Sequence, residues 1–145
     1  MDVKLKARFD FPPSAVLAQV ADLPGYPEWH GMVHGVEADG DGWLVDLGGQ
    51  MGPFKHTKRV RLVRAEDAEP GHVRFVRAER DGKDHGGWEL AATVDPSSGD
   101  GPCTLQFKLS YDGASPLASL LEPLLQAETH RSADRLRLRL AAGSS

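Results

Sequence analysis

The spacing of apolar residues changes once along this chain, and that change limits the folds available to it. At the start, apolar side chains alternate with charged ones, as they do in a strand with one buried face: Val3, Leu5, Ala7, Phe9 and Phe11. From Pro116 onward they recur at steps of three and four, as on an amphipathic helix: Leu117, Leu120, Leu121, Leu124, Leu125, Leu136 and Leu140. The pattern predicts a mainly β chain that ends in one long helix.

Two short helical segments are predicted after the first strand. Pro12 and Pro13 end that strand, and Ser14 is expected at or near the cap of a helix that runs to about Ala21. The segment 23–29 holds two prolines and a glycine, so at most one helical turn is expected there.

The middle of the chain reads as a series of hairpins. Asp-Gly pairs tolerate the positive φ angles of tight hairpin turns, and they occur at 39–42 and 81–82. Residues 48–53 are rich in glycine and are predicted to form a flexible loop, and residues 96–102 a third turn. The six further strands are predicted at 32–38, 43–47, 56–63, 73–79, 85–94 and 104–111.

These elements predict an α+β fold. A curved antiparallel sheet of seven strands that grips the C-terminal helix is the economical way to bury every apolar face. In that helix Ser115 is a plausible cap, Pro116 the first helical residue and Pro123 the site of a kink, while residues 141–145 are expected to fray. No linker divides the 145 residues, so residues 1–145 are predicted to form one domain.

Composition excludes several classes of protein. The net charge is −4 and the isoelectric point about 5.8, so no nucleic-acid partner is expected. A single cysteine, Cys103, permits neither a disulfide nor a cysteine-based zinc site within the chain, and no catalytic role is predicted for it. No apolar run is long enough to span a bilayer, and the charged N-terminus lacks the core of a signal peptide, so a cytoplasmic location is predicted.

The chain resembles the START/Bet-v-allergen-like (SRPBCC) superfamily, in particular its bacterial polyketide cyclase/dehydrase and lipid-transport branch. The resemblance covers essentially the whole chain. It rests on four features in order: Phe9-Asp10-Phe11-Pro12-Pro13-Ser14, Tyr26-Pro27-Glu28-Trp29, Gly86-Gly87-Trp88-Glu89-Leu90, and the long helix after Tyr111. It implies a helix-grip fold with a deep cavity between the concave sheet and the terminal helix. This fold hosts carriers, cyclases, hydrolases and interaction modules, so it does not define one function.

An apolar cavity of that kind has an energetic consequence. Voids in protein cores cost about 24 cal/mol per Å3, so an empty one of ~400 Å3 would cost about 10 kcal/mol, which is comparable to the stability of a whole domain. The cavity implied by the resemblance is therefore expected to be wetted, collapsed or filled by an apolar ligand.

Because side chains alternate between the two faces of a strand, the positions of the apolar residues predict which other residues face that cavity. Arg77 and Glu79 share a face with Val73 and Phe75, and Tyr111 shares one with Phe107, so these polar groups are candidates to meet the polar end of a ligand. Alternatively, they lie where the strands leave the core and simply reach water. The predicted ligand contacts are Trp29, Phe75, Arg77, Trp88, Phe107, Tyr111, Leu120 and Leu124.

For the strand predicted at 56–63, the sequence does not decide which set of alternating residues faces inward. If Val60 and Leu62 face inward, His56 and Lys58 do too, whereas an inward Val63 would bring Thr57, Arg59 and Arg61 with it. The first reading is preferred weakly. An inward His56 would serve as a general base or a hydrogen-bond donor, although a solvated His56 is the more common situation.

Other conspicuous residues carry weaker signals. Trp29 follows a proline-rich turn and is expected at the mouth of the cavity. His30 and His34 are four residues apart, but Gly31 follows at once and no carboxylate lies at useful spacing, so no metal is predicted. The terminal helix carries Arg131, Arg135, Arg137 and Arg139; a solvated face with Glu128 and Asp134 as local partners is preferred over contact with anionic lipid or RNA.

Three functions remain open from the sequence. The preferred hypothesis is a protein that binds a small hydrophobic molecule such as a lipid, a polyketide-like aromatic or an isoprenoid, without a cofactor. The second is a polyketide cyclase or aromatase in which Arg77, Tyr111 or His56 orients an enolate or moves protons. The third is a macromolecular interaction module that uses the arginines of the last helix. The oligomeric state is not predicted.

Overall fold

The computed structural model describes residues 2–51, 54–66, 70–81, 87–96, 101–112 and 118–143, without the side chains of 49–51, 54–58, 111–112, 118–122 and 124–125. The described chain is an antiparallel seven-stranded sheet with a long C-terminal helix, which confirms the predicted α+β fold. The elements are β1 (Asp2–Phe9), α1 (Pro13–Ala21), a 3-10 helix (Leu23–Glu28), β2 (Val33–Asp39), β3 (Gly42–Met51), β4 (Phe54–Arg64), β5 (His72–Arg77), β6 (Gly87–Pro96), β7 (Cys103–Asp112) and α2 (Ala118–Gly143).

The strands follow the spatial order β1-β7-β6-β5-β4-β3-β2. From β2 to β7, each strand pairs with the next strand along the chain, as in successive hairpins. Strand β1 instead pairs with β7, with Asp2 opposite Ser110 and Phe9 opposite Cys103. Both ends of the chain therefore meet at one edge of the sheet. The alternation predicted for the first strand is confirmed, since Val3, Leu5 and Phe9 are buried.

The helical segments after β1 differ from the prediction in one way. Helix α1 begins at Pro13 with Pro12 at the N-cap, so Ser14 is the second helical residue, near the cap position, and no side chain forms a capping hydrogen bond. Proline suits the first helical position because the N–H that it lacks would be unpaired there in any case. The segment after it forms a 3-10 helix of six residues rather than one turn at most; its bonds use the N–H groups of Gly25, Trp29 and His30, so neither proline breaks them.

The predicted flexible loop at 48–53 is also corrected. Strand β3 continues to Met51 and pairs with β4 up to Met51 opposite Phe54, so residues 48–51 are strand. The glycines of this segment favour a loop locally, but pairing with β4 overrides that local preference. Gly52 and Pro53 lie outside the described residues.

Helix α2 is described from Ala118, so the predicted cap Ser115 and the first position Pro116 lie outside the described residues. Pro123 lies inside the helix, which continues to Gly143, beyond the point where fraying was expected. Its buried stripe changes character along its length: Leu136 and Leu140 are buried near the C-terminal end, whereas Thr129, Ser132 and Ala133 supply short side chains before them.

The helix lies along the outer edge of β1. The side-chain amide of Gln126 accepts a hydrogen bond from the Lys4 N–H at 3.3 Å and donates one to the Lys4 carbonyl, which is what a neighbouring strand would do. Further along, Arg137 donates to the Arg8 carbonyl at 3.0 Å and lies 4.8 Å from the centre of the Phe9 ring. These bonds satisfy backbone groups that an edge strand otherwise leaves to water or to another chain.

A second attachment joins α2 to the segment after the 3-10 helix. Ser132 Oγ accepts a hydrogen bond from the Gly31 N–H at 3.0 Å and donates one to the Glu128 carbonyl at 2.8 Å. A Cβ at Gly31 would lie 2.8 Å from Cγ of Glu128 and would overlap its carboxylate. A side chain at position 31 would therefore displace the Glu128 side chain from its present position.

We expect Gly31→Ala to destabilise the protein by about 1–3 kcal/mol, because the Glu128 side chain must leave its place and its ion pairs with Arg131 and Arg135 are lost. Urea denaturation measures this free energy. The control is Gly143→Ala, where an added Cβ meets nothing within 4 Å. Removal of the clash in the double variant Gly31→Ala, Glu128→Ala should recover part of the loss. Strict additivity of the two single effects would contradict the steric explanation.

Candidate functional site

The parity of β4 is resolved by burial. Val60 and Leu62 are buried, and they face the same side as Trp43 and Val45, which lie opposite them in β3. This is the parity that the sequence analysis preferred. On β5 the buried residues are Val73 and Phe75, and on β6 they are Leu90, Ala92 and Val94, so the concave face is apolar across the sheet.

One line of residues crosses the concave face from strand to strand. Trp43 is opposite Leu62, Leu62 is opposite Arg77, and Trp88 is opposite Tyr111. In the antiparallel pair of β5 and β6, Val76 lies opposite Glu89. The same register places Arg77, the next residue of β5, beside Trp88. Residues directly opposite in an antiparallel pair point to the same face. We call these five positions the cross-strand row; it brings together three of the predicted site residues, Arg77, Trp88 and Tyr111.

The two tryptophans of the row are half-buried, unlike most of the concave face. Trp43 packs edge-on against Phe75, with ring centres 5.7 Å apart. Both rings pack against the buried core without being enclosed by it. The row therefore presents accessible aromatic surface on the side of the sheet that faces the interior.

Arg77 is the charged member of the row. Its side chain is 7% exposed, and its Nε donates to Oε1 of Glu79 at 3.0 Å. The same carboxylate oxygen accepts a hydrogen bond from the Arg61 N–H at 3.1 Å. Arg77 and Glu79, which are predicted only to share a face, thus form an ion pair at the end of β5, and both side chains are largely withdrawn from water.

Four predicted site residues can be placed only by their backbone. The side chains of His56, Tyr111, Leu120 and Leu124 lie outside the described residues. Tyr111 belongs to the cross-strand row, whereas His56 pairs with Gly49, six residues along β4 from Leu62. Six strand residues span roughly 20 Å, so along the strand His56 is far from Arg77.

Of the three other predicted contacts, only Trp29 lies deeper than expected. Phe75 and Phe107 are buried, and so is Trp29, which is 3% exposed and does not lie at a rim. The turn after the 3-10 helix directs Trp29 inward, where its ring centre lies 4.7 Å from that of Tyr26 and 6.2 Å from that of Phe107. Aromatic rings at such distances stabilise one another beyond their burial alone.

Sequence reasoning missed His30, which lies beside Trp29 in this interior. It is 2% exposed, and its ring centre lies 5.0 Å from that of Phe107 and 6.0 Å from that of Tyr26. Its Nδ1 accepts a hydrogen bond from the Met32 N–H at 3.2 Å. Burial lowers the pKa of His30 to about 3, and the positive charge of Arg135 adds to this effect. The ring is therefore neutral at neutral pH, with its proton on Nε2.

Two buried N–H groups in this region have no acceptor among the described residues: Nε2 of His30 and Nε1 of Trp29. Leaving a buried donor unpaired typically costs about 1–3 kcal/mol. Tyr26 shows the usual solution, because its hydroxyl donates to the Val20 carbonyl at 2.7 Å. Burial also raises the pKa of Tyr26 far above its ordinary value, with the charge of Asp22 adding to the shift.

Arg61 was also missed as a buried residue. It lies on the convex face, where alternation predicts exposure, yet it is 5% exposed. Its Nε donates to Asp39 at 2.8 Å, its guanidinium pairs with Asp41, and it donates to the Ala78 carbonyl at 2.9 Å. The hydrogen bond to Arg61 lowers the pKa of Asp41. These contacts tie the β2–β3 turn to the end of β5 and serve the fold.

The arginines of α2 have partners nearby. Arg131 and Arg135 both bind the Glu128 carboxylate, at 2.9 and 3.1 Å, and Arg137 binds Asp134 at 2.7 Å. Arg139 donates to the side chain of Gln19 at 2.9 Å. The local partners predicted for this face are confirmed, and the paired charges give no support to an interaction module built on them.

Cys103 is buried, and its thiol donates to the Phe11 carbonyl at 3.6 Å. Burial raises the pKa of this thiol, which opposes formation of the reactive thiolate. Within the described part of the chain, no group of three histidine, cysteine or carboxylate side chains is placed to hold a metal ion. No described helix is both long and apolar enough to cross a membrane.

Several solved structures share this fold. A START superfamily protein from Mycobacterium smegmatis is 17% identical with a TM-score of 0.70, and 97% of each chain is covered. A conserved protein from Geobacillus kaustophilus is 12% identical with a TM-score of 0.75, over 98% of this chain and 96% of that one. A norcoclaurine synthase point mutant from Thalictrum flavum, in complex with a transition-state analogue, is 17% identical with a TM-score of 0.68, over 100% and 96%.

These similarities define the class: the sheet closed by a C-terminal helix is the START-like, helix-grip fold. The profile of the family described as polyketide cyclase / dehydrase and lipid transport matches residues 1–141, and the chain belongs to that family. The resemblance found in the sequence is thereby confirmed. No curated protein matches the chain.

The neutral, buried His30 predicts a specific acid sensitivity. Its pKa is about 3 in the folded protein and near 6.5 in an unfolded chain, so below pH 6.5 the unfolded state takes up a proton that the folded state does not. Stability should therefore fall as the pH drops from about 6.5 toward 3, with about 2 kcal/mol lost through this group at pH 5.

The measurement is the free energy of unfolding at pH 7 and pH 5, for the wild type and for His30→Asn. Asparagine keeps an acceptor near the position of Nδ1 for the Met32 N–H but does not titrate. The difference between pH 7 and pH 5 should shrink in the variant. An equal difference in both proteins would show that His30 is not the group responsible.

Proposed function

We propose that this protein binds a small, largely apolar molecule between the concave face of the sheet and α2. The observation that carries this proposal is the cross-strand row, where two half-buried tryptophans flank Leu62 and the Arg77–Glu79 ion pair. Ligand sites in proteins commonly combine apolar and aromatic walls with a few placed polar groups. The family, whose description includes lipid transport, supports the same function.

The position of α2 supports the proposal as well. Among the described elements the helix comes close to β1 and to β3, which are the first and sixth strands in spatial order. The strands between them, β7, β6, β5 and β4, carry four of the five residues of the cross-strand row. A helix that meets a curved sheet toward its two edges covers the middle strands, and this is where a ligand would be held.

The ligand would contact the rings of Trp43 and Trp88 and place a polar end near Arg77. Tryptophan rings bury large areas when a partner covers them, and their flat faces suit apolar rings or chains. Tyr111, Leu120 and Leu124 belong to this proposal through their positions on β7 and α2. Phe75, Phe107 and Trp29 would form the floor of the site.

The direct test is binding of the neutral apolar probe N-phenyl-1-naphthylamine, measured by its fluorescence. We expect the wild type to bind it and Trp88→Ala to bind it about tenfold more weakly, because one large contact surface is removed. Leu138→Ala is the matched control: Leu138 is an apolar residue of α2 that is 73% exposed, and its loss should leave the affinity unchanged.

Mass spectrometry of compounds extracted from the purified protein provides the second arm. A co-purified apolar molecule, displaced when the probe is added, would support the proposal. Failure to bind the probe, together with an extract free of apolar molecules, would contradict it.

A second candidate function is catalysis of a cyclisation, in which a carbon nucleophile in a folded chain meets a carbonyl carbon. The specific observation in its favour is that Arg77 and Tyr111 belong to the same row, one on each side of Trp88. An arginine placed there would orient an enolate oxygen while the surrounding walls hold the chain in a reactive conformation.

This candidate is tested with poly-β-ketone substrates. Arg77→Lys and Tyr111→Phe should each lower turnover at least tenfold, since each changes a group that would face the reacting oxygen. The control is Arg74→Ala, on the same strand but at the opposite parity, where Arg74 pairs with Glu89 at 3.3 Å. Unchanged turnover in both row variants would exclude these residues from the chemistry.

A further inference from the structure

Two consecutive residues each carry a buried N–H donor that has no acceptor among the described residues. Nε1 of Trp29 and Nε2 of His30 belong to rings whose centres are 5.4 Å apart, at an interplanar angle of 65°. Both rings lie against Phe107 on the concave face, at 6.2 and 5.0 Å between centres. We call these two N–H groups the donor pair.

The donor character of His30 is fixed by its neighbour. Because Nδ1 accepts the Met32 N–H, the proton of the neutral ring is on Nε2. Indole nitrogen is always a donor. Neither residue can therefore turn an acceptor toward the other, and the two N–H groups cannot satisfy each other.

The donor pair differs from two other buried polar groups close to it. Tyr26 and Ser132 are equally buried, and each has a hydrogen-bond partner. The atoms of the donor pair have none among the described residues, although both residues are more than nine-tenths buried. Native interiors rarely leave such groups unpaired without a functional reason.

We propose that the donor pair binds a carbonyl oxygen of the apolar ligand, an inference that rests on the proposed function. A carbonyl oxygen has two lone pairs and can accept both N–H groups at once. The two donors then fix the position and orientation of a molecule whose contacts with the aromatic walls carry little directional information.

A carbonyl fits this site better than a hydroxyl or a charged group. A hydroxyl would also need an acceptor for its own hydrogen, and Nδ1 of His30 is already occupied. The nearby positive charge of Arg135 is compensated by Glu128, which it contacts at 3.1 Å, so the site does not demand an anion. An ammonium group offers no lone pair and would face two donors.

The test uses two probes that differ only at the relevant atom. 9-Fluorenone and fluorene share a flat tricyclic skeleton, with a carbonyl in the first and a methylene in the second. We expect the wild type to bind 9-fluorenone roughly tenfold more tightly than fluorene in calorimetric titrations. The ratio should fall toward one in Trp29→Phe, which removes the indole donor, and in His30→Asn, whose shorter side chain places no N–H at the position of Nε2.

The matched control is Tyr26→Phe, which removes a donor from the neighbouring ring. That hydroxyl is already bonded to the Val20 carbonyl, so its loss should lower stability and leave the ketone-to-hydrocarbon ratio unchanged. A spectroscopic readout does not depend on the variants folding well. The indole Nε1–H signal of Trp29 in 15N–1H NMR spectra, assigned by its loss in Trp29→Phe, should move downfield with 9-fluorenone and not with fluorene.

The outcomes separate the two proposals. Equal affinity for both probes, with no selective shift of the Trp29 signal, would overturn the donor pair while leaving the apolar site intact. Failure of both probes to bind would count against the proposed function and the donor pair together. A persistent nuclear Overhauser effect from water to the Trp29 N–H in the 9-fluorenone complex would also overturn the inference, because water would then hold the donors.

Discussion

The attachment of α2 to the edge of β1 is the contact on which the interior depends. An edge strand presents N–H and C=O groups that water or another strand would otherwise take. The side-chain amide of Gln126 forms hydrogen bonds with both the backbone N–H and the carbonyl of Lys4, and Arg137 donates to the carbonyl of Arg8. The helix is therefore positioned by directional bonds to backbone, not only by burial of its leucines. Since β1 also pairs with β7, these bonds relate the helix directly to the strand that carries Phe107 and Tyr111.

Short side chains of the same helix allow the segment after the 3-10 helix to approach closely. Thr129, Ser132 and Ala133 are short, so the chain after the 3-10 helix can come close, and Gly31 packs against Glu128 without a side chain of its own. This close approach carries Trp29 and His30 inward. A larger residue at position 132 would remove both the space and the hydrogen bond to Gly31. The buried positions of Trp29 and His30 therefore depend on the small residues of the helix.

Alternation of side chains predicted the sheet, and its successes and failures have physical causes. Period-two spacing identified the inner faces of β1, β5 and β6, because burial of one face imposes that period directly. The alternation did not predict that β3 continues beyond residue 47, because Gly48 has no side chain and so contributes nothing to the periodic pattern. It also missed Arg61, whose burial depends on Asp39 and Asp41 in a turn twenty residues away.

The candidate site was predictable only where it belongs to strands. Arg77, Trp88 and Tyr111 follow from parity, although their common row needed the register between strands, which turn residues alone do not fix. His30 had no such signal, because its burial depends on where an irregular turn places it between two elements. Phe107, which touches the donor pair, and Tyr111, in the row, are four residues apart on β7, or roughly 13 Å along the strand. A ligand that extends from the donor pair to the cross-strand row would span a comparable distance, which a single small ring cannot do.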